Sequence, residues 1–219
     1  NNCSIVNHKL DYIFTNYNKN SVQIKMVSYE YSDANPFWNP EKNDIDFKYY
    51  IEKNNLAKPD LLFTFLTGNG LYVPYSNEFI THEKYATKFL EQFHKDFPDA
   101  LIGVMGIELP CCNGGVTACY GAQGYYHDWY GDTVTTLNYD KWLENFTKLE
   151  EHASYMTYFD IKSQFDSEYS YPVELVKVNN RSEILERIGT NGLHPSIDGY
   201  KQIGDAFYRF LVEMIKRIK

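Results

Sequence analysis

The stretch Asp60–Tyr72 reads DLLFTFLTGNGLY. Its first seven residues are mostly apolar, and the residues after Leu66 are mainly small or turn-forming. An apolar run this short suits a strand buried on both faces, which is the signature of a parallel sheet. In an open parallel sheet, ligands gather just beyond the carboxyl ends of the strands. Thr67–Gly70 therefore falls where a site would form, with Asn69 as its polar side chain.

The flanking sequence repeats the pattern. SVQIKMV (Ser21–Val27) alternates like a strand, and ALIGVMGI (Ala100–Ile107) and YMTYFDI (Tyr155–Ile161) read as further buried strands. Between them, helical spacing is expected at Leu10–Tyr17, at Phe47–Lys53, at Thr81–Phe97 with Thr81 as N-cap, and at Asn138–Tyr155. A last amphipathic helix covers Asp198–Ile218. Strands alternating with helices predict an α/β fold around a parallel sheet. No internal repeat, low-complexity tract or linker interrupts it, so 1–219 reads as a single domain.

At 219 residues the chain is long enough to bury a core. Its 21 Lys and Arg against 29 Asp and Glu leave a formal charge of −8, which argues against nucleic acid or an anionic membrane surface as partner. No apolar run reaches the ~18 residues of a membrane span, so no membrane insertion is expected. The 20 Tyr, 14 Phe and 3 Trp suit stacking on sugar rings as well as ordinary core and rim packing.

Cys111, Cys112 and Cys119 share one loop, PCCNGGVTACYG, and Cys3 stands apart. No matched Cys or His pair accompanies them, so a zinc site is not indicated and no metal is expected. Two readings stay open: free thiols, or a disulfide from Cys119 to Cys111 or Cys112, the latter implying an oxidising compartment. Sequons at Asn2, Asn145 and Asn180 matter only in a glycosylating host.

Near the C-terminus, GTNGLHPSIDGYKQIGDAFYRFL (Gly189–Leu211) holds His194 ahead of a proline, an Asp-Gly turn and the last helix. The sheet topology would put Asn69 and His194 on one rim. A histidine as proton shuttle beside a carboxamide that donates to a developing oxyanion suits acyl transfer. On spacing alone, Asn69 is more readily a turn residue, and His194 as readily a capping or turn histidine. His127 and Asp128, adjacent in YYHDWYGD, read as a surface turn or a substrate rim.

DLLFTFLTGNGLY is similar to the third sequence block of the SGNH hydrolases, the GDSL-type esterases. NGLHPSIDGYKQIGDAFYRFL is similar to their fifth block and its following helix. NPFWNP…DFKYY resembles a subgroup found in gut bacteria and in tail proteins of bacterial viruses. The resemblance covers the chain from about Asn35 onward. It implies a three-layer α/β/α sandwich and ester hydrolysis by a serine nucleophile without a cofactor. By the same resemblance His194 is the general base and Asn69 an oxyanion donor. The expected substrate is an ester, O-acetyl or other acyl, on a carbohydrate, and the expected location is secreted, periplasmic or virion-associated.

This chain departs from the family pattern in four places. The family carries an acid three residues before the histidine, and here Asn191 stands there, able to orient the ring but not to stabilise its charge. The third block ends in Gly70 where the family has a second polar residue. No glycine follows Val27 in the place of the second-block oxyanion donor. The first block, which bears the serine, has no counterpart. Ser4 and Cys3 lack the strand-to-helix elbow a nucleophile needs. The expectation is therefore that the first strand and its serine lie upstream of Asn1, leaving a gap in the sheet between Ser21–Val27 and Asp60–Leu66. The alternative is a non-catalytic relative, a carbohydrate-binding or structural module.

Overall fold

The computed structural model describes residues 13–15, 23–25, 35–65, 77–113, 129–192 and 194–218. The chain is a mixed α/β protein built around a parallel sheet. Strands β5 (Leu61–Thr64), β6 (Leu101–Met105) and β7 (Met156–Phe159) lie side by side in that order. β5 and β6 run parallel, with Leu61 opposite Leu101 and Thr64 opposite Val104. The Ile102 N–H donates to Tyr155 O at 2.7 Å, and the Gly106 N–H to Phe159 O at 3.0 Å. In β6, Ile102 to Met105 are all buried, as a strand covered on both faces requires.

Three two-stranded antiparallel ribbons accompany the sheet among the described residues. They are β1 (Ile13–Thr15) with β2 (Gln23–Lys25), β3 (Trp38–Asn39) with β4 (Asp44–Ile45), and β8 (Val173–Lys177) with β9 (Leu185–Gly189). The helix expected over Leu10–Tyr17 is corrected by the first of these. Ile13, Phe14 and Thr15 are β-branched or aromatic, residue types that lose rotamer freedom in a helix, and here they pair with Lys25, Ile24 and Gln23. β2 thus bonds to β1 and not to β5, and among the described residues no strand lies on the outer edge of β5.

Helix α1 (Phe47–Lys53) falls where the sequence places it. Asp46 is its N-cap, accepting the Tyr49 N–H at 2.9 Å. α2 (Asn77–Asp96) begins a turn earlier than expected, so Thr81 lies inside it and is no N-cap. It ends before Phe97, which precedes Pro98 and is biased away from helical backbone. α3 (Trp129–Thr147) is also displaced toward the N-terminus from the expected Asn138–Tyr155. Beyond Thr147 the chain closes tight turns, among them Lys148 N–H to Asn145 O at 3.1 Å and Tyr155 N–H to His152 O at 3.0 Å. His152 Nδ1 bonds the Phe146 carbonyl at 2.9 Å, satisfying an orphan acceptor at the helix end. α4 (Ile197–Arg217) matches the expected last helix to within a residue at each end.

By compactness the chain forms two units, each threaded more than once. One takes in 6–105, 144–158 and 217–219, the other 1–5, 106–143 and 159–216. The first is packed by an aromatic ladder. Phe37 meets Phe47 at 4.5 Å between ring centroids, Phe47 meets Phe89 at 4.9 Å and Phe93 at 5.2 Å, and Phe93 meets Phe97 at 5.4 Å. Ala86, Phe89, Leu90 and Phe93 recur at helical spacing, so α2 turns one face inward, and Phe97 just beyond its end is buried too. Each buried phenylalanine contributes about 1.5–3 kcal/mol. The second unit buries Cys111, Phe165 and Tyr171 with Ile203 of α4 against them, and stacks Phe159 on Phe210 at 4.6 Å.

Candidate active site around His194

Three segments of the second unit are laced together by backbone hydrogen bonds. The first, 106–113, follows β6 in the chain. The second, 160–172, follows β7. The third, 187–200, runs from β9 into α4. Cys111 N–H donates to Gly192 O at 3.5 Å, Gly189 N–H to Asn113 O at 2.6 Å and Cys112 N–H to Ser167 O at 3.1 Å. Thr190 N–H donates to Pro172 O at 2.9 Å, and Ser196 N–H to Ser170 O at 2.7 Å. His194 sits in the third segment, half-buried, between Gly192 and Ser196. Chain segments that continue two parallel strands past their carboxyl ends thus frame the histidine.

Asn191 holds the turn. Its Oδ1 accepts the His194 backbone N–H at 2.9 Å, and its Nδ2 stands 3.4 Å from His194 Nδ1. The backbone bond fixes which end of the amide faces the ring: the donor end. Nδ1 is then the acceptor, and the ring proton belongs on Nε2.

The entry into α4 is held just as closely. Ser196 Oγ accepts the Gly199 N–H at 3.2 Å and Ser196 O the Tyr200 N–H at 2.9 Å, so Ser196 is the N-cap. The Asp-Gly pair expected as a turn lies in the first turn of the helix instead. Gly199 is there for space. A Cβ at that position would stand 2.3 Å from Ser170 O and 2.8 Å from Pro195 Cβ.

Sequence reasoning missed Glu108. It lies in the loop after β6, and although part of the residue is exposed, desolvation pushes its carboxyl up to about 7, with the Asp140 charge adding to the rise. Tyr171, buried beside it, donates its hydroxyl to Leu109 O at 2.8 Å. Burial and the nearby Glu108 charge both raise the Tyr171 phenol, and they act the same way on Tyr200. Asp140 is buried, accepts the Ile107 N–H at 2.8 Å and pairs with Lys162 at 3.3 Å. A lone glutamate behind a strand carries no sequence signal; its environment comes from segments far apart in the chain.

Cys111 and Cys112 are free thiols, so the disulfide alternative is not realised at either; Cys119 lies outside the described residues. Burial pushes the Cys111 thiol up to about 11, which makes it a packing residue and a poor nucleophile. Asn69 also lies outside the described residues, as do Cys3, Ser4, His127 and Asp128. Among the described residues no group of three His, Cys, Asp or Glu side chains is placed to hold a metal ion. Nor, among them, is any helix long and apolar enough to cross a membrane. Compared with protein-family models, with curated proteins and with solved structures, the chain matches none.

Proposed function

We propose that this protein is an SGNH-type serine esterase that removes an O-acetyl or other acyl group from a carbohydrate. His194 is its general base, Asn69 an oxyanion donor and Asn191 the residue that orients the imidazole. On this reading the fold is a three-layer α/β/α sandwich, and the protein works outside the cytoplasm or on a virion. One observation carries it: a half-buried histidine, clamped by a side chain three residues earlier, in a segment bonded to the loop that follows β6. The serine oxygen would attack the acyl carbon and pass its proton to His194, which returns it to the leaving sugar oxygen; water then releases the acyl group by the same route.

The direction of the Asn191 amide favours a second reading, a non-catalytic carbohydrate-binding module. With the proton on Nε2, the outward nitrogen of His194 is a donor and cannot accept from a serine until the tautomer changes. Hydrolysis of an aryl acetate, with fluorophosphonate labelling and peptide mapping to locate the serine, separates the two. Turnover lost in His194→Ala, with a labelled serine, upholds the esterase. A full-length protein with neither turnover nor label, yet binding a sugar, is the binding module.

A further inference from the structure

We propose that Tyr169, backed by Arg187, is the stacking platform of a sugar subsite beside the His194 turn, and that it takes a neutral pyranose. This deepens the esterase reading, and rests on it for the reaction but not for the binding.

Tyr169 is 60 % exposed, although the backbone that carries it is firmly held. Asp166 Oδ1 accepts the N–H groups of Glu168 and Tyr169 at 2.9 and 3.1 Å, and Ser170 is buried. The Arg187 guanidinium lies 4.6 Å from the Tyr169 ring centroid and covers one of its faces. It also reaches the Glu168 carbonyl at 3.5 Å. Among the described residues Arg187 forms no ion pair, and its Nε is buried without a hydrogen-bond partner. The guanidinium thus fixes the ring from behind and leaves the outer face open. A rigid ring that loses little entropy on binding is suited to the apolar face of a sugar.

The platform is close to the candidate base. Ser170, next to Tyr169, accepts the N–H of Ser196, two residues beyond His194. Consecutive Cα atoms are ~3.8 Å apart, so one short oligosaccharide spans both positions. Charge selects the ligand. The neighbouring Glu168 carboxylate raises the Tyr169 phenol, and Asp166 acts on it in the same sense. Two carboxylates against one guanidinium repel an acidic sugar and offer acceptors to the hydroxyls of a neutral one.

The test is calorimetric titration of the His194→Ala protein, so that nothing turns over, with xylotetraose, mannotetraose, cellotetraose and chitotetraose, and with trigalacturonate as the acidic probe. At least one neutral probe is expected to bind, and to bind more tightly than trigalacturonate. Tyr169→Ala should weaken it by about 3- to 10-fold, and Tyr169→Phe should keep it. Circular dichroism of Tyr169→Ala should be unchanged, since the side chain is exposed. The proposal is overturned if no neutral probe binds, if Tyr169→Ala binds as well as its parent, or if the acidic probe binds best. Tyr169-dependent binding by a protein without aryl-acetate turnover leaves the subsite standing and removes the esterase. Turnover without such binding does the reverse.

Discussion

Asn191 bonds His194 twice over: its Oδ1 takes the backbone N–H at 2.9 Å and its Nδ2 faces Nδ1 at 3.4 Å. The residue that sets the turn therefore also sets the tautomer. An aspartate there would keep the first bond and reverse the second, accepting from Nδ1–H and freeing Nε2 to take a proton.

Asn191→Asp is accordingly expected to raise ester turnover by on the order of tenfold or more, by restoring the tautomer a serine needs; the reverse change in a serine protease costs ~10⁴. Asn191→Ala should lower it modestly, and His194→Ala should remove most of it. Aryl-acetate kinetics on the three variants check this. A slower Asn191→Asp enzyme would show that the ring does not act through Nε2.

Gly199→Ala should destabilise the protein by about 2–3 kcal/mol, since the new methyl has to displace Ser170 or Pro195. Gly204, further along α4, has open space where a Cβ would stand, with nothing within 4 Å. Gly204→Ala should stabilise by roughly 0.5–1 kcal/mol through helix propensity. Urea unfolding of both variants reads the contrast, and equal effects would count against the close approach.

Glu108 titrates near neutrality in the fold, above the ~4.3 of an unfolded glutamate. Its contribution to stability is full below the unfolded value and is lost as pH rises through about 7. Glu108→Gln should therefore be the more stable protein at pH above neutrality, by about 1–2 kcal/mol after allowance for its partial exposure, and should lose that advantage in acid. Melting temperatures across the pH range decide it.

Acid should act on the other unit. Burial lowers His82 to about 4, so it stays neutral in the fold while the unfolded histidine takes a proton near 6.5. Stability is lost as pH falls from 6.5 toward 4. Asp46 then adds to the loss. Burial raises its carboxyl, but hydrogen bonds from Lys42, the Tyr49 N–H and Asn39 outweigh that and hold it below the ordinary range. Its share is present above the unfolded value and disappears as pH falls through the folded one. His82→Gln should flatten the first part of the curve by about 1–3 kcal/mol and leave the second. Denaturation curves at stepped pH would show no such division if His82 were solvated.

Local pattern determined much of this protein. The apolar runs at Leu61–Thr64, Leu101–Met105 and Met156–Phe159 are legible as strands because each is short, apolar and bounded by polar or turn-forming residues, although only Leu101–Met105 is buried almost throughout. Helices α1 and α4 follow from apolar periodicity, with their caps Asp46 and Ser196 seen only in the structure, and His194 is legible from the turn-forming residues around it. Tertiary structure decided the rest. Ile13–Thr15 fits either period, and only the partner Gln23–Lys25 makes it a strand. The ribbon of Val173–Lys177 with Leu185–Gly189 leaves little trace in the sequence, because much of it is exposed and no continuous buried face marks it. The raised carboxyl of Glu108 depends on burial and on Asp140, the covered face of Tyr169 on Arg187, and the steric demand at Gly199 on Ser170. Each of those partners is well separated in sequence from the residue it acts on. Desolvation and close approach are properties of what surrounds a group, and the chain brings those surroundings together only when it folds.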